Sequence, residues 1–185
     1  MNRPDTQQQI RRMLVELLKE KPIEAIKVTE LASRIGMNRV TFYRHYESVF
    51  DVLQELEDEF IEKMENLAKE TMNISLDDRF FVKPEPTNLA CTRYTLEHRD
   101  LVLVLLGPYG DESFRWRCTR IARKYLVGKA IAQGYIQENS DEIGDFLVTG
   151  FVGMLNNWLK NEQRISAEEF SVLTFRMIFG YYRMR

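Results

Sequence analysis

Arg39, Thr41, Tyr43, Arg44 and His45 lie almost side by side, and together they suit one kind of chemistry. A guanidinium matches the paired acceptors on a guanine edge, and a threonine methyl can meet that of thymine. Tyrosine, arginine and histidine donors reach phosphate oxygens. Asn38 and Val40 complete the run. Such side chains read a duplex only if a short helix carries them into the major groove.

The preceding residues supply that positioning. Thr29 can N-cap a first helix through its hydroxyl, and with Tyr43 and His45 it is assigned to the phosphate backbone. Leu31, Ala32 and Ile35 give that helix one apolar face at helical spacing. Gly36 follows the last apolar residue, where a left-handed C-terminal residue is usually glycine. Asn38 can then cap a second helix. That second helix is too short and polar to be explained by burial, since only Val40 and Phe42 are plainly apolar. The plainer alternative is an ordinary helical hairpin; the polar residue types favour a helix-turn-helix whose second helix touches DNA.

Thr-x-Leu-Ala followed by Gly-Met-Asn and Thr-Phe-Tyr-x-His-Tyr, here Thr29 to Tyr46, resembles the signature of the TetR-type bacterial transcription regulators. The wording Asn38-Arg39-x-Thr41-Phe42-Tyr43-Arg44-His45-Tyr46 resembles the dihydroxyacetone-kinase operon regulator subgroup. The C-terminal half is similar to that subgroup more loosely, through Gly150-Phe151-x-Gly153, Trp158 and Ser166-Ala167-Glu168-Glu169. The resemblance implies an all-α fold. A three-helix DNA-binding domain would occupy residues 1–47, and a helical effector and dimerisation domain residues 48–185. It implies a homodimer, in the cytoplasm, that binds a pseudo-palindromic operator as a repressor switched by a small-molecule or protein effector. The DNA-binding set would be Thr29, Asn38, Arg39, Val40, Thr41, Tyr43, Arg44 and His45. One departure stands out: Val49 occupies the position of a lysine that reaches phosphate in the family, although the flanking Ser48 and Leu53 are kept.

Charge is distributed as such a reading needs. Through Tyr46 there are nine Lys/Arg against five Asp/Glu, whereas the remainder holds 17 against 23. A basic N-terminal part on an acidic remainder fits a nucleic-acid binder that uses one end. Cys91 and Cys118 have no paired spacing and there are two histidines, so a zinc site lacks ligands. No nucleophile–base constellation or phosphate-cradling loop is present either. Gly107-Pro108-Tyr109-Gly110 lacks the strand context, and its proline removes a donor. The expectation is therefore a non-enzyme with no cofactor and no metal. The N-terminal residues Met1 to Gln9 are polar, and the longest apolar run, Leu101 to Gly107, is too short to span a bilayer.

Helical periodicity continues along the chain. A first helix over residues 6–21 carries Ile10, Met13, Leu14, Leu17 and Leu18 on one face and ends at Pro22. A longer helix is predicted from Ser48 to about Met72, and residues 73–88 read as an irregular connection. A helix to Glu97 follows, then a short apolar helix capped by Asp100. Phe114 to Gly134 is amphipathic and basic; its charges read better as a solvated face than as a second nucleic-acid site. Tyr94, Phe114, Trp116 and Tyr125 are candidates to line an effector pocket, and equally candidates for core. The last two helices carry unbroken apolar stripes. By resemblance to a family in which the final helix pair forms a four-helix bundle, Phe146, Gly150, Phe151, Met154, Trp158, Phe170, Leu173 and Met177 are assigned to a subunit interface. The alternative function is a regulator-like co-activator or adaptor working through a protein partner.

Overall fold

The computed structural model describes residues 5–75, 77–136, 139–161 and 164–183. Among them there is no β-strand, and the chain divides into two compact units. Residues 5–61 and Asp100–Phe114 make the first, and residues 62–99 with 115–183 the second. The 47/48 boundary expected from the sequence falls inside the first unit.

In the first unit, helix α1 (Thr6–Glu20) buries Ile10, Leu14, Leu17 and Leu18, the stripe its spacing predicts. After Pro22 a single 3₁₀ turn, Ile23–Ala25, leads to α2 (Val28–Arg34) and α3 (Arg39–Tyr43). The start of α2 corrects the sequence reading. Lys27, not Thr29, is the N-cap residue, and no side chain caps it. Its carbonyl already accepts from the amides of Glu30 and Leu31 at 3.0 and 3.1 Å. Ile26 is drawn into the core just upstream, so the chain enters the helix before Thr29 can act as a cap.

Helix α4 (Val49–Glu70) contributes to both units. Ser48 and Asp51 open it with a reciprocal capping box: the Ser48 amide donates to Asp51 Oδ2 at 2.8 Å, and the Asp51 amide to Ser48 Oγ at 3.3 Å. Its predicted end at Met72 is met by a 3₁₀ turn, Thr71–Asn73. The second unit then opens with the predicted irregular stretch, which contains a further 3₁₀ turn, Asp78–Phe81. Helix α5 (Pro86–Glu97) starts inside the residues read as connection, because Pro86 takes the first helical turn, where its fixed φ is an advantage.

Back in the first unit, Asp100 does not cap the next short helix, α6 (Arg99–Leu105). It lies in the first turn, where its carboxylate accepts from Lys19 Nζ at 2.9 Å. The predicted basic helix is α7 (Glu112–Ala122), a π turn over Arg123–Val127, and α8 (Gly128–Ala132). Helices α9 (Ser140–Lys160) and α10 (Ala167–Arg183) follow. Ser166 and Glu169 box the start of α10, at 2.7 and 3.1 Å. Phe80, Val127, Ala130, Ile136, Val148, Phe175, Ile178 and Phe179 belong to one buried cluster. Within it the ring of Phe175 meets Phe80 and Phe179 at 5.7 and 4.6 Å. Helix α10 packs chiefly on α5 and on the Asp78–Phe81 turn.

Candidate nucleic-acid interface

The turn between α2 and α3 is built from two residues. Gly36 has φ +66°; the amides of Gly36 and Met37 donate back to Ser33 O at 3.1 Å and Ala32 O at 2.8 Å. This is the paired closure of a helix C-terminus that needs a left-handed residue, and any side chain at 36 would be strained. Two residues later Asn38 Oδ1 accepts from the Val40 amide at 2.9 Å and starts α3, as its position predicts.

Helix α3 is held from one side. Phe42 is fully buried and Tyr46 nearly so, their rings 6.0 Å apart. That i, i+4 pair fixes which way the other side chains point. Arg39, Val40, Tyr43, Arg44 and His45 are all exposed, Val40 at 56% and Tyr43 at 55%, with Thr41 half-buried. Thr29 is exposed on α2, and Asn38 at the turn. Seven of the eight residues assigned from sequence thus lie on one short helix or directly at its ends, and Thr29 lies on the helix before it.

The local charges sort themselves in the same way. Arg34 forms a two-pronged pair with Glu20 at 2.7 and 2.8 Å, and Lys21 meets Glu30 at 2.6 Å. Arg11 donates to Glu59 at 3.0 and 2.8 Å and to the Tyr46 hydroxyl at 3.1 Å. Arg39 and Arg44 form no ion pair among the described residues. The cations near the core are already neutralised, whereas those on α3 are free to meet phosphate or base. Arg11 has no local sequence signal, because its contacts lie 35 and 48 residues away. Val49, at the position where the family has a lysine, is buried. Its side chain anchors the first turn of α4 and presents nothing to a phosphate.

The remaining assigned residues scatter more widely. Of the four pocket aromatics, Phe114 belongs to the first unit and the others to the second. Phe114 is fully buried against Phe60, with ring centroids 5.6 Å apart, whereas Trp116 is exposed beneath Arg120. Tyr125 is buried with its hydroxyl on Glu65 Oε1 at 3.2 Å, and Tyr94 tilts against His98. None of the four lines the shallow surface cavity of about 290 Å³ bounded by Val82, Pro84, Val172, Leu173 and Arg176.

The eight interface residues divide in two. Trp158 and Phe170 are buried within the subunit, stacked on each other at 4.3 Å and 17°. Phe151 packs on the aromatic cluster and Met154 is half-buried. Phe146, Leu173 and Met177 are 77%, 36% and 60% exposed. Gly150 is open, and a Cβ there, or at Gly153, would meet nothing within 4 Å.

A family described as a transcriptional regulator C-terminal region, of TetR type, matches residues 82–180. The chain belongs to the TetR family of transcriptional regulators. Solved TetR-family structures share its all-α fold. PfmR of Thermus thermophilus aligns with a TM-score of 0.65 at 18% identity, over 91% of this chain and 96% of its own. The dihydroxyacetone kinase operon activator DhaS gives 0.59 at 14% identity, over 97% of each chain. The fatty acid degradation regulator FadR of Bacillus halodurans gives 0.58 at 15%, again over 97% of each. A search of curated protein sequences returned no match. Among the described residues, no helix is long and apolar enough to cross a membrane.

Proposed function

We propose that this TetR-family chain is a repressor that binds a pseudo-palindromic operator as a homodimer and releases it when an effector binds. The observation that carries the reading is the outward face of α3: two unpaired arginines, a tyrosine and a histidine displayed by a helix whose opposite side is locked by Phe42. Arg39, at the start of α3, is assigned to a base edge, and Thr29, Tyr43 and His45 to phosphate. Two such helices would enter successive major grooves about one helical turn apart. Phe146, Gly150, Gly153, Leu173 and Met177 supply an outward apolar stripe of the kind that marks association.

The test is fluorescence anisotropy on DNA from upstream of the protein's own gene, across a salt series. Direct binding gives a steep fall in affinity with salt, roughly 0.9 in log–log slope per neutralised phosphate. Met177→Glu places a carboxylate in the stripe at an exposed position, so the monomer stays folded by circular dichroism. Sedimentation then reads the assembly: a folded monomer supports the dimer, and a folded dimer moves the interface elsewhere.

One observation favours a second reading, an adaptor or co-activator acting through a protein partner. Val49 sits in the core, which leaves the start of α4 without the family's phosphate-reaching lysine. A flat salt slope that steepens only when a partner protein is added would select it.

A further inference from the structure

The polar groups buried in the second unit are not all accounted for by its fold. Glu85 is 1% exposed and Lys129 2%, and Ser171 is fully buried. They come from three separate elements: the N-cap of α5, the start of α8 and the first turns of α10. One oxygen of Glu85 is committed, accepting from the Asn88 amide at 2.6 Å. Its other oxygen, Lys129 Nζ and Ser171 Oγ have no hydrogen-bond partner. Asn88 ties the group together, since its Nδ2 donates to Ser171 O at 3.0 Å and to Thr174 Oγ1 at 2.9 Å. Burial lowers the proton affinity of Lys129 while the nearby charge of Glu85 raises it, so the two lie within each other's field without bonding. Cys91 feels the same carboxylate.

Buried polar groups elsewhere on α5 are handled differently. Thr92 Oγ1 and Thr95 Oγ1 each donate to the carbonyl four residues back, both at 2.8 Å. Those threonines need nothing from outside. A cation, an anion and a hydroxyl left open inside one unit are another matter, because burial of such groups is tolerated only when something completes them.

We infer that Glu85, Lys129 and Ser171 form a binding site for a small molecule bearing a carboxylate next to a hydroxyl or ammonium group. The carboxylate would accept from Lys129 Nζ. The adjacent donor would serve the free oxygen of Glu85, and Ser171 Oγ can complete either group. Such a hydroxy acid or amino acid bridges the two charges that the protein leaves unjoined. The site rests on the reading of the chain as an effector-switched regulator, and names the chemistry of that effector. It is distinct from the aromatic quartet singled out by the sequence.

The experiment uses the full chain and four probes, glycolate, L-lactate, glycine and L-serine, with acetate and methylamine as single-group controls. Thermal unfolding is followed with each compound at millimolar concentration. At least one probe should raise the unfolding midpoint of the wild type where acetate and methylamine do not. The Lys129→Met/Glu85→Gln double variant should lose that shift. Ser171→Ala, which removes one hydroxyl and is read independently should the double variant fail to fold, should weaken binding about tenfold. If no probe exceeds acetate, or the variants respond as the wild type does, the site is wrong. DNA anisotropy without probe separates the two readings. Intact DNA binding with no thermal shift removes this site and leaves the regulator, whereas a shift without DNA binding leaves the site and removes the operator.

Discussion

The two units bury different kinds of residue. Among the described residues, Glu57 is the one buried polar side chain of the first unit. The second unit buries Thr71, Glu85, Thr87, Thr92, Thr95, Lys129, Ser171 and Thr174. In the first unit the apolar stripes of α1, α2 and α4 point inward, and the polar residues of α3 are left on the outside. A unit with an apolar core has nothing to recognise inside, so its recognition chemistry lies on its surface. Polar groups inside the second unit cost free energy unless they are completed, and some of them are left incomplete. The contrast teaches where each unit holds its partner: the first outside, as proposed for DNA, and the second inside, as inferred for a small acid.

Four measurements would break or sharpen this contrast. The largest effect is expected in the apolar core of the first unit. Phe42→Ala should cost about 3–5 kcal/mol in urea unfolding, because the ring is fully buried and leaves a cavity that α3 cannot fill. A loss under about 1 kcal/mol would mean that α3 is held by something other than its apolar side.

In the second unit the sign reverses. Replacing the open charges together, by Lys129→Met with Glu85→Gln, should stabilise the fold by about 1–4 kcal/mol, as apolar replacements of buried ion pairs often do. The pH dependence supplies a second check. Lys129 binds its proton less tightly folded than unfolded, where its value is the ordinary 10.5. Between its lowered folded value and 10.5 the unfolded chain holds more protons, so wild-type stability gains from rising pH across that window. The double variant should lack that contribution. A destabilised variant with an unchanged alkaline profile would make the second unit's polar interior structural.

The surface of α3 should respond in binding rather than in folding. Arg39→Ala should lower affinity for the operator by about 1–3 kcal/mol and leave random DNA nearly unchanged. Equal losses on both would demote Arg39 to a phosphate contact. Tyr43→Phe removes one hydroxyl from an exposed ring, so it should cost about 0.5–1.5 kcal/mol alike on every sequence. Identical salt curves for wild type and variant would take Tyr43 off the surface that meets DNA.

Much of the first unit is legible in the sequence because its logic is local. Gly36 and Asn38 act within a few residues of themselves, and Phe42 with Tyr46 is an i, i+4 pair; neighbouring residue types are enough to reveal both. Thr29 reads wrongly as a cap because the helix start depends on where Ile26 is buried, and that is a tertiary fact. The stripes of α9 and α10 are equally visible. Periodicity names an apolar face but not its partner, so it does not separate Trp158 and Phe170, stacked inside, from Phe146 and Met177, left outside.

Lys129 carries a faint signal, standing four residues after Tyr125 in the same helical run. Nothing nearby indicates that the lysine is buried. Glu85, flanked by two prolines, reads as a turn residue. The sequence by itself determined the all-α class, the helix-turn-helix and its outward polar residues, since these follow from spacing, caps and turn chemistry over short distances. Only the tertiary structure decided that Arg11 reaches Tyr46 and that Val49 is core. It also decided that Glu85, Lys129 and Ser171 are all buried in the second unit with an unpartnered polar atom. Those contacts join residues tens of positions apart, and burial is a property of the packed chain rather than of any segment in it.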